Sequence, residues 1–153
     1  MIRRESDGVW LELEERIAQH YEAVFGCFVD SGQLTRWFPV AAEVDLRAGG
    51  TIVLGWDEKM DRTTTIAILD FDPGGRITWD WEVGAAARHA PLYWTVEPSV
   101  EEGAIVKLRQ GPFPETIEGM IELGNEAAHW RWYLCNLRST LEAKHDMRRV
   151  RPL

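Results

Sequence analysis

The stretch ITWDWEV at 77–83 places an acid, Asp80, between two indoles, Trp79 and Trp81. Side by side, such a trio would be a general base held between two stacking surfaces. On a strand it is not, because neighbouring side chains point to opposite faces. The alternation sends Trp79 and Trp81 inward with Ile77 and Val83, and Asp80 outward with Thr78 and Glu82.

Other residues able to move a proton or hold a metal are scattered. His20 opens a helix, Arg88 and His89 fall in a loop, and His129 sits on a second helix; none has metal-ligand spacing to another His, Asp or Glu. Surface or capping roles are expected for them. Glu126 and His129 are one helical turn apart and read as a solvated i, i+3 pair. Cys27 and Cys135 form no CxxC motif and read as two reduced, mostly buried thiols. No catalytic set, metal or cofactor is assigned.

Charge narrows the partners. Lys and Arg number 17 against 25 Asp and Glu, a net charge of -8 that repels a phosphate backbone. Nucleic acid is not an expected partner. The basic tail MRRVRPL, with Arg148, Arg149 and Arg151, reads as solvated. The start MIRRESDGVW lacks a secretory apolar region, and no run approaches the ~20 apolar residues that span a bilayer. A cytoplasmic protein with no membrane partner is expected.

The elements that must position these residues follow from periodicity. Val9, Leu11 and Leu13 alternate with Trp10, Glu12 and Glu14, predicting a first strand that runs to Ile17. Tyr21, Val24, Phe25 and Phe28 share one face of a helix over 18–28. A second short helix is capped by Asp30 or Ser31, carries Leu34, Trp37 and Phe38, and stops at Pro39. Strands are expected near 42–47, 51–57, 62–71, 76–83, 91–98 and 104–110, joined by short turns into an antiparallel meander. Leu123, Ala127, Trp130, Leu134, Leu137 and Leu141 form the stripe of a long C-terminal helix. Gly119 and Gly124 predict a kink or a late start at Asn125. The whole chain, 1–153, reads as a single domain.

Sorting each strand into two faces points Trp56, Trp79, Trp81 and Trp94 at a helix that itself carries Trp130. Polar groups are almost missing from these inward sets, and Asp80, Glu82 and Glu97 are expected beside Lys107 and Arg109 on the outer face. Indoles this large either pack directly on the helix or leave a cavity, and both readings stand.

Four segments then carry a resemblance: LTRWFP at 34–39, EVDLRAGGTI at 43–52, DPGGRITWDWE at 72–82 and WRWYLCNLRSTLEAKHD at 130–146. In this order they resemble the START/SRPBCC superfamily, typified by the birch-pollen allergen, and most closely its bacterial branch related to the activator of the Hsp90 ATPase. The resemblance implies an α+β helix-grip fold: a curved antiparallel sheet of about seven strands wrapped around a long C-terminal helix, with two short helices after the first strand. It also implies a cavity lined by Trp37, Phe38, Trp56, Trp79, Trp81, Trp94, Phe113, Met120, Trp130 and Leu134. His129 stands where the family usually has Gly, and Trp94 and Pro98 replace smaller residues, which alters the cavity's size. Reversible binding of a hydrophobic or aromatic small molecule is the function implied. A cyclase- or hydrolase-like enzyme using the same cavity is the first alternative, and a chaperone-ATPase-activating module the second; a homodimer is compatible with each.

Overall fold

The computed structural model describes residues 1–149. Ten strands and three α-helices follow one another as β1 Ile2–Glu5, β2 Gly8–Ile17, α1 Tyr21–Val29, α2 Ser31–Leu34, β3 Ala41–Val44, β4 Thr51–Gly55, β5 Thr63–Asp72, β6 Arg76–Trp79, β7 Glu82–Val83, β8 Arg88–His89, β9 Leu92–Pro98, β10 Ala104–Phe113 and α3 Ile117–Ala143. A single turn of tighter helix, Met147–Arg149, follows. Eight strands form one antiparallel sheet in the order β1-β2-β10-β9-β6-β5-β4-β3, and α3 lies against it, mainly on β2 and β10. The architecture is the α+β helix-grip arrangement.

The sheet has one strand more than expected because β1 pairs with β2 through a tight hairpin, Ile2 opposite Leu11 and Glu5 opposite Gly8. Its sequence, IRRE, is exposed throughout and so carries no alternating pattern to read. The two short helices consequently follow the second strand. Asp30 caps α2, its side chain accepting from the Gln33 amide at 3.0 Å.

The helix α3 starts at Ile117, not late at Asn125, and runs for 27 residues. Thr116 caps it by accepting from the Gly119 amide at 3.0 Å. Gly119 belongs to this first turn for lack of room: a Cβ there would stand 2.1 Å from the Pro114 carbonyl oxygen. Close approach to the incoming chain outweighs the small loss of helix propensity.

The strand expected over 76–83 is two strands. β6 ends at Trp79, and β7 pairs instead with β8 as a separate hairpin, Glu82 opposite His89. On β5 the register shifts between Ile68 and Asp70. This bulge keeps Ile68 opposite Trp79 and Phe71 opposite Ile77, so apolar residues stay on the inner face that a strict alternation would have given to Asp70.

The outer face pairs as expected at Lys107 and Glu97 and differently elsewhere. Strand β9 separates β6 from β10, so Asp80 cannot reach Lys107 or Arg109. It meets His89 at 2.9 Å instead, and that bond holds the His89 ring above its usual acidity range. Lys107 pairs with Glu97 at 2.7 Å, and Arg109 pairs with Glu5 and lies 4.0 Å over the Trp10 ring.

Two terminal details also depart from the sequence reading. Arg148 is not solvated: it donates to the carbonyl oxygens of Thr35, Phe38 and Pro39 at 2.8–3.0 Å and to the Asp146 carboxylate. Burial would raise the Asp146 acid, but the Arg148 bonds outweigh it and hold the carboxyl below its ordinary range. Arg151 lies outside the described residues. Cys27 is buried and its thiol is pushed up to about 11 by desolvation, whereas Cys135, expected to be mostly buried, is exposed on α3.

Two outcomes follow from these contacts. Arg148→Ala should cost about 1.5–3 kcal/mol in urea denaturation, the range for hydrogen bonds to a charged group, and Arg148→Lys should recover less than half because an ammonium lacks the planar fork. A thiol-reactive dye should label one cysteine of the native protein, and Cys135→Ser should remove that labelling.

Candidate functional site

Trp130, buried in the middle of α3, collects the aromatic rings of the sheet. Its centroid lies 5.1 Å from Phe38, 5.2 Å from Trp81, 5.4 Å from Trp94 and 6.4 Å from Trp79. Both indoles of ITWDWEV therefore touch Trp130. Phe28 on α1 extends the cluster to Trp37 at 5.0 Å and Trp94 at 4.9 Å. The contacts of Trp81 and Trp94 with Trp130 are edge-to-face, which sets the positive edge of one ring on the negative face of the next.

The expected lining residues divide into three groups. Trp37, Phe38, Trp79, Trp94, Trp130 and Leu134, each at most 2% exposed, pack into one continuous core. Phe113 and Met120 belong to a second cluster with Val9, Leu11, Val83 and Leu123, which Leu13 and Trp81 bridge to the first. Trp56 and Trp81 are only half-buried and stand at the rim. The deep rings thus fill the space between sheet and helix, and open volume lies at its mouth.

One opening, of about 360 Å³, is bounded by Trp56, Thr64, Ile66, Asp80, Trp81 and Gly84, with no residue of α3 in its wall. A second, of about 680 Å³, lies on the other side of Trp56 against Phe38, Tyr133, Arg62 and Asp146. Trp56 is the wall common to both. Its indole N–H donates to the Thr64 hydroxyl at 2.9 Å, and its ring meets Phe38 edge-on at 5.7 Å.

Polar groups do face inward, contrary to the sequence reading. Gln110, fully buried on β10, donates through Nε2 to the Glu126 carboxylate at 2.7 Å and to the Ala90 carbonyl at 3.2 Å. Glu126 is not in a solvated pair with His129. Burial raises its carboxyl above the usual range, partly offset by N–H groups from Gln110, Trp130 and Trp81 aimed at the same carboxylate. Of these only the Gln110 contact has full hydrogen-bond geometry, and the N–H groups of Trp79 and Trp94 meet no acceptor within the protein. His129 sits among Phe38, Trp130 and Tyr133, and burial pushes its ring below the ordinary imidazole range. Asn136, also fully buried, donates to the Trp37 carbonyl at 3.0 Å.

Two of these groups were within reach of the sequence. Gln110 continues the inward series Ala104, Val106, Leu108 on β10, and Glu126 lies one turn before Trp130 at the margin of the apolar stripe. Apolar periodicity does not register Gln110 and gives Glu126 only as half of a solvated pair, because polar residues in phase with an apolar stripe carry no hydropathy signal. Among the described residues no cluster of three or more His, Cys, Asp or Glu side chains could hold a metal. No helix of the described residues is long and apolar enough to cross a membrane.

Glu126 has a consequence for stability. A carboxyl raised in the folded state binds its proton more tightly there than in the unfolded chain, so its contribution is full below the unfolded value of about 4.3 and is lost as pH rises through the folded value. Glu126→Gln keeps an acceptor for Gln110 and removes this titration. In urea denaturation the variant should exceed the parent by about 1 kcal/mol or more at pH 8, with the gap closing toward pH 4; an equal or less stable variant at pH 8 contradicts the assignment.

The backbone that presents this site has relatives of known structure. A Staphylococcus saprophyticus protein, SSP2350, superposes with TM-score 0.76 at 23% identity, over 91% of this chain and 96% of that one. CalU16 from Micromonospora echinospora gives 0.71 at 20% identity, over 98% and 86%. The Aha1 dimer from Colwellia psychrerythraea gives 0.69 at 16% identity, over 87% and 96%. At these identities the likeness establishes the fold alone. No curated protein matches the chain. A family model, that of the Activator of Hsp90 ATPase homolog 1-like proteins, matches residues 19–142, from the entry to α1 almost to the end of α3. With most of its length and its sheet-and-helix frame matched in this way, the chain belongs to that family.

Proposed function

We propose that this protein reversibly binds a small hydrophobic or aromatic molecule in the opening walled by Trp56 and Trp81, at the sheet edge of the aromatic core. One observation carries the reading. Trp56 and Trp81 stand half-buried on either side of an opening of about 360 Å³, while the deeper indoles are committed to one another. That volume falls within the range of small-molecule sites. Two indole walls and Ile66 supply the apolar area whose desolvation drives binding, and Thr64 and Asp80 supply a few orienting polar atoms.

A second reading has one observation in its favour. Glu126, a carboxyl raised by burial, is the kind of group that acts as a general acid in cyclase- or hydrolase-like chemistry. Binding ranks first because it requires no further reacting group. A homodimer, the state in which the Colwellia psychrerythraea relative was solved, is the assembly we carry over to this chain.

The test is a fluorescence titration with mono- and bicyclic aromatic compounds. A saturable change is expected with at least one of them, and Trp56→Ala and Trp81→Ala should each weaken its affinity about tenfold or more. Absence of any saturable response, or full affinity in both variants, would overturn the proposal.

A further inference from the structure

We infer that the opening beside the C-terminal end of α3 is a site for a phosphate-class oxyanion, held by Arg36, Lys144 and Arg149. This opening, of about 560 Å³, shares no residue with the cleft walled by Trp56 and Trp81. With His145 counted as neutral, four side chains on its wall are positive, Arg148 joining the three anchors, and one, Asp146, is negative. Arg148 already neutralises Asp146 at 2.7 Å. The excess of three positive charges gathers anions here, in a chain whose net charge is -8.

The anchors are unspent. Among the described residues no ion pair involves Arg36, Lys144 or Arg149. Arg36 gives one N–H to the Gln33 side chain at 2.7 Å and keeps the rest of its planar fork. Thr140, 7% exposed on the same wall, has a hydroxyl with no partner. Asp146 is occupied by Arg148 and the Asn136 amide, so donors exceed open acceptors. A tetrahedral oxyanion offers acceptors in several directions, which suits two guanidinium forks, an ammonium and a hydroxyl. Its two charges match the local excess better than the single charge of a carboxylate.

The C-terminal end of a helix ordinarily repels an anion. Here its carbonyls have other partners: the Ser139 oxygen accepts from the Lys144 and His145 amides, and the Leu141 oxygen from Gln19 at 3.3 Å. Lys144 caps the helix in the left-handed conformation, φ 53°, where glycine is favoured. What lysine adds there over glycine is an ammonium on the wall of the opening.

Calorimetric titration at constant ionic strength with inorganic phosphate, phenyl phosphate and benzoate tests the inference. Both phosphates should bind saturably, and benzoate about fivefold or more weaker. Phenyl phosphate no tighter than inorganic phosphate identifies the free ion as the ligand. A tighter phenyl phosphate identifies an ester whose ring reaches the adjoining opening, where Arg148 and Arg149 border Phe38, Trp56 and Tyr133; either result supports the anchor. Lys144→Gly and Arg149→Gln should each weaken inorganic phosphate about fivefold or more, and Lys144→Gly should unfold in urea no earlier than the parent. Absence of saturable phosphate binding, benzoate as tight as phosphate, or parent affinity in both variants overturns the inference and leaves the cleft at Trp56 and Trp81 standing.

Discussion

The contact of Trp130 with the inner face of the sheet is the constraint on which the rest depends. One indole on α3 meets rings from the segment after α2, from β6, from the link after β6 and from β9. Removing a buried ring of this kind typically costs ~3–5 kcal/mol. The helix is set on the sheet by that ring and braced at its side by Glu15 of β2, which binds Arg131 at 2.7 Å and Arg138 at 3.1 Å. The bulge in β5 and the early end of β6 then read as adjustments that keep Trp79, Ile77 and Phe71 turned toward the same interior.

Because the rings are so large, their packing decides where space remains. Phe28, Trp37, Trp79, Trp94 and Trp130 fill the depth of the grip, and the mouth keeps the open volume. Arg148 contributes from a distance by fastening the end of the chain to the carbonyls of Thr35, Phe38 and Pro39, at the edge of the larger opening. The polar pair Gln110 and Glu126 lies where the two apolar clusters meet, and Trp81 belongs to the packing of both. Fold and candidate site therefore share side chains, so substitutions at the rim bear on stability as well as on binding.

Much of this was legible from periodicity. The inward series on β9 and β10, the helix faces of α1 and α3, and the separation of Asp80 from its flanking indoles all follow from periods of two and 3.6 residues. The features that periodicity does not show have local physical causes. The strand β1 is polar and exposed, and so carries no pattern. The start of α3 depended on a cap and on a glycine pressed against Pro114, which propensity alone misreads. The end of β6 depended on pairing between β7 and β8, a contact invisible in the alternation of ITWDWEV. Arg148 reads as solvated because a charge in a basic tail usually is, until backbone carbonyls distant in sequence enclose it.

The central claim is that the deep tryptophans are closed on one another and the rim pair receives a guest. The most direct measurement follows the indole N–H resonances of the eight tryptophans during titration with ethylnaphthalene. The account predicts saturable shifts led by Trp56 and Trp81, while Trp37, whose N–H is held by the Cys27 carbonyl at 2.8 Å, stays in place. Shifts led by Trp37 and Trp94 with Trp56 and Trp81 unmoved, or no shift at any indole, would contradict it.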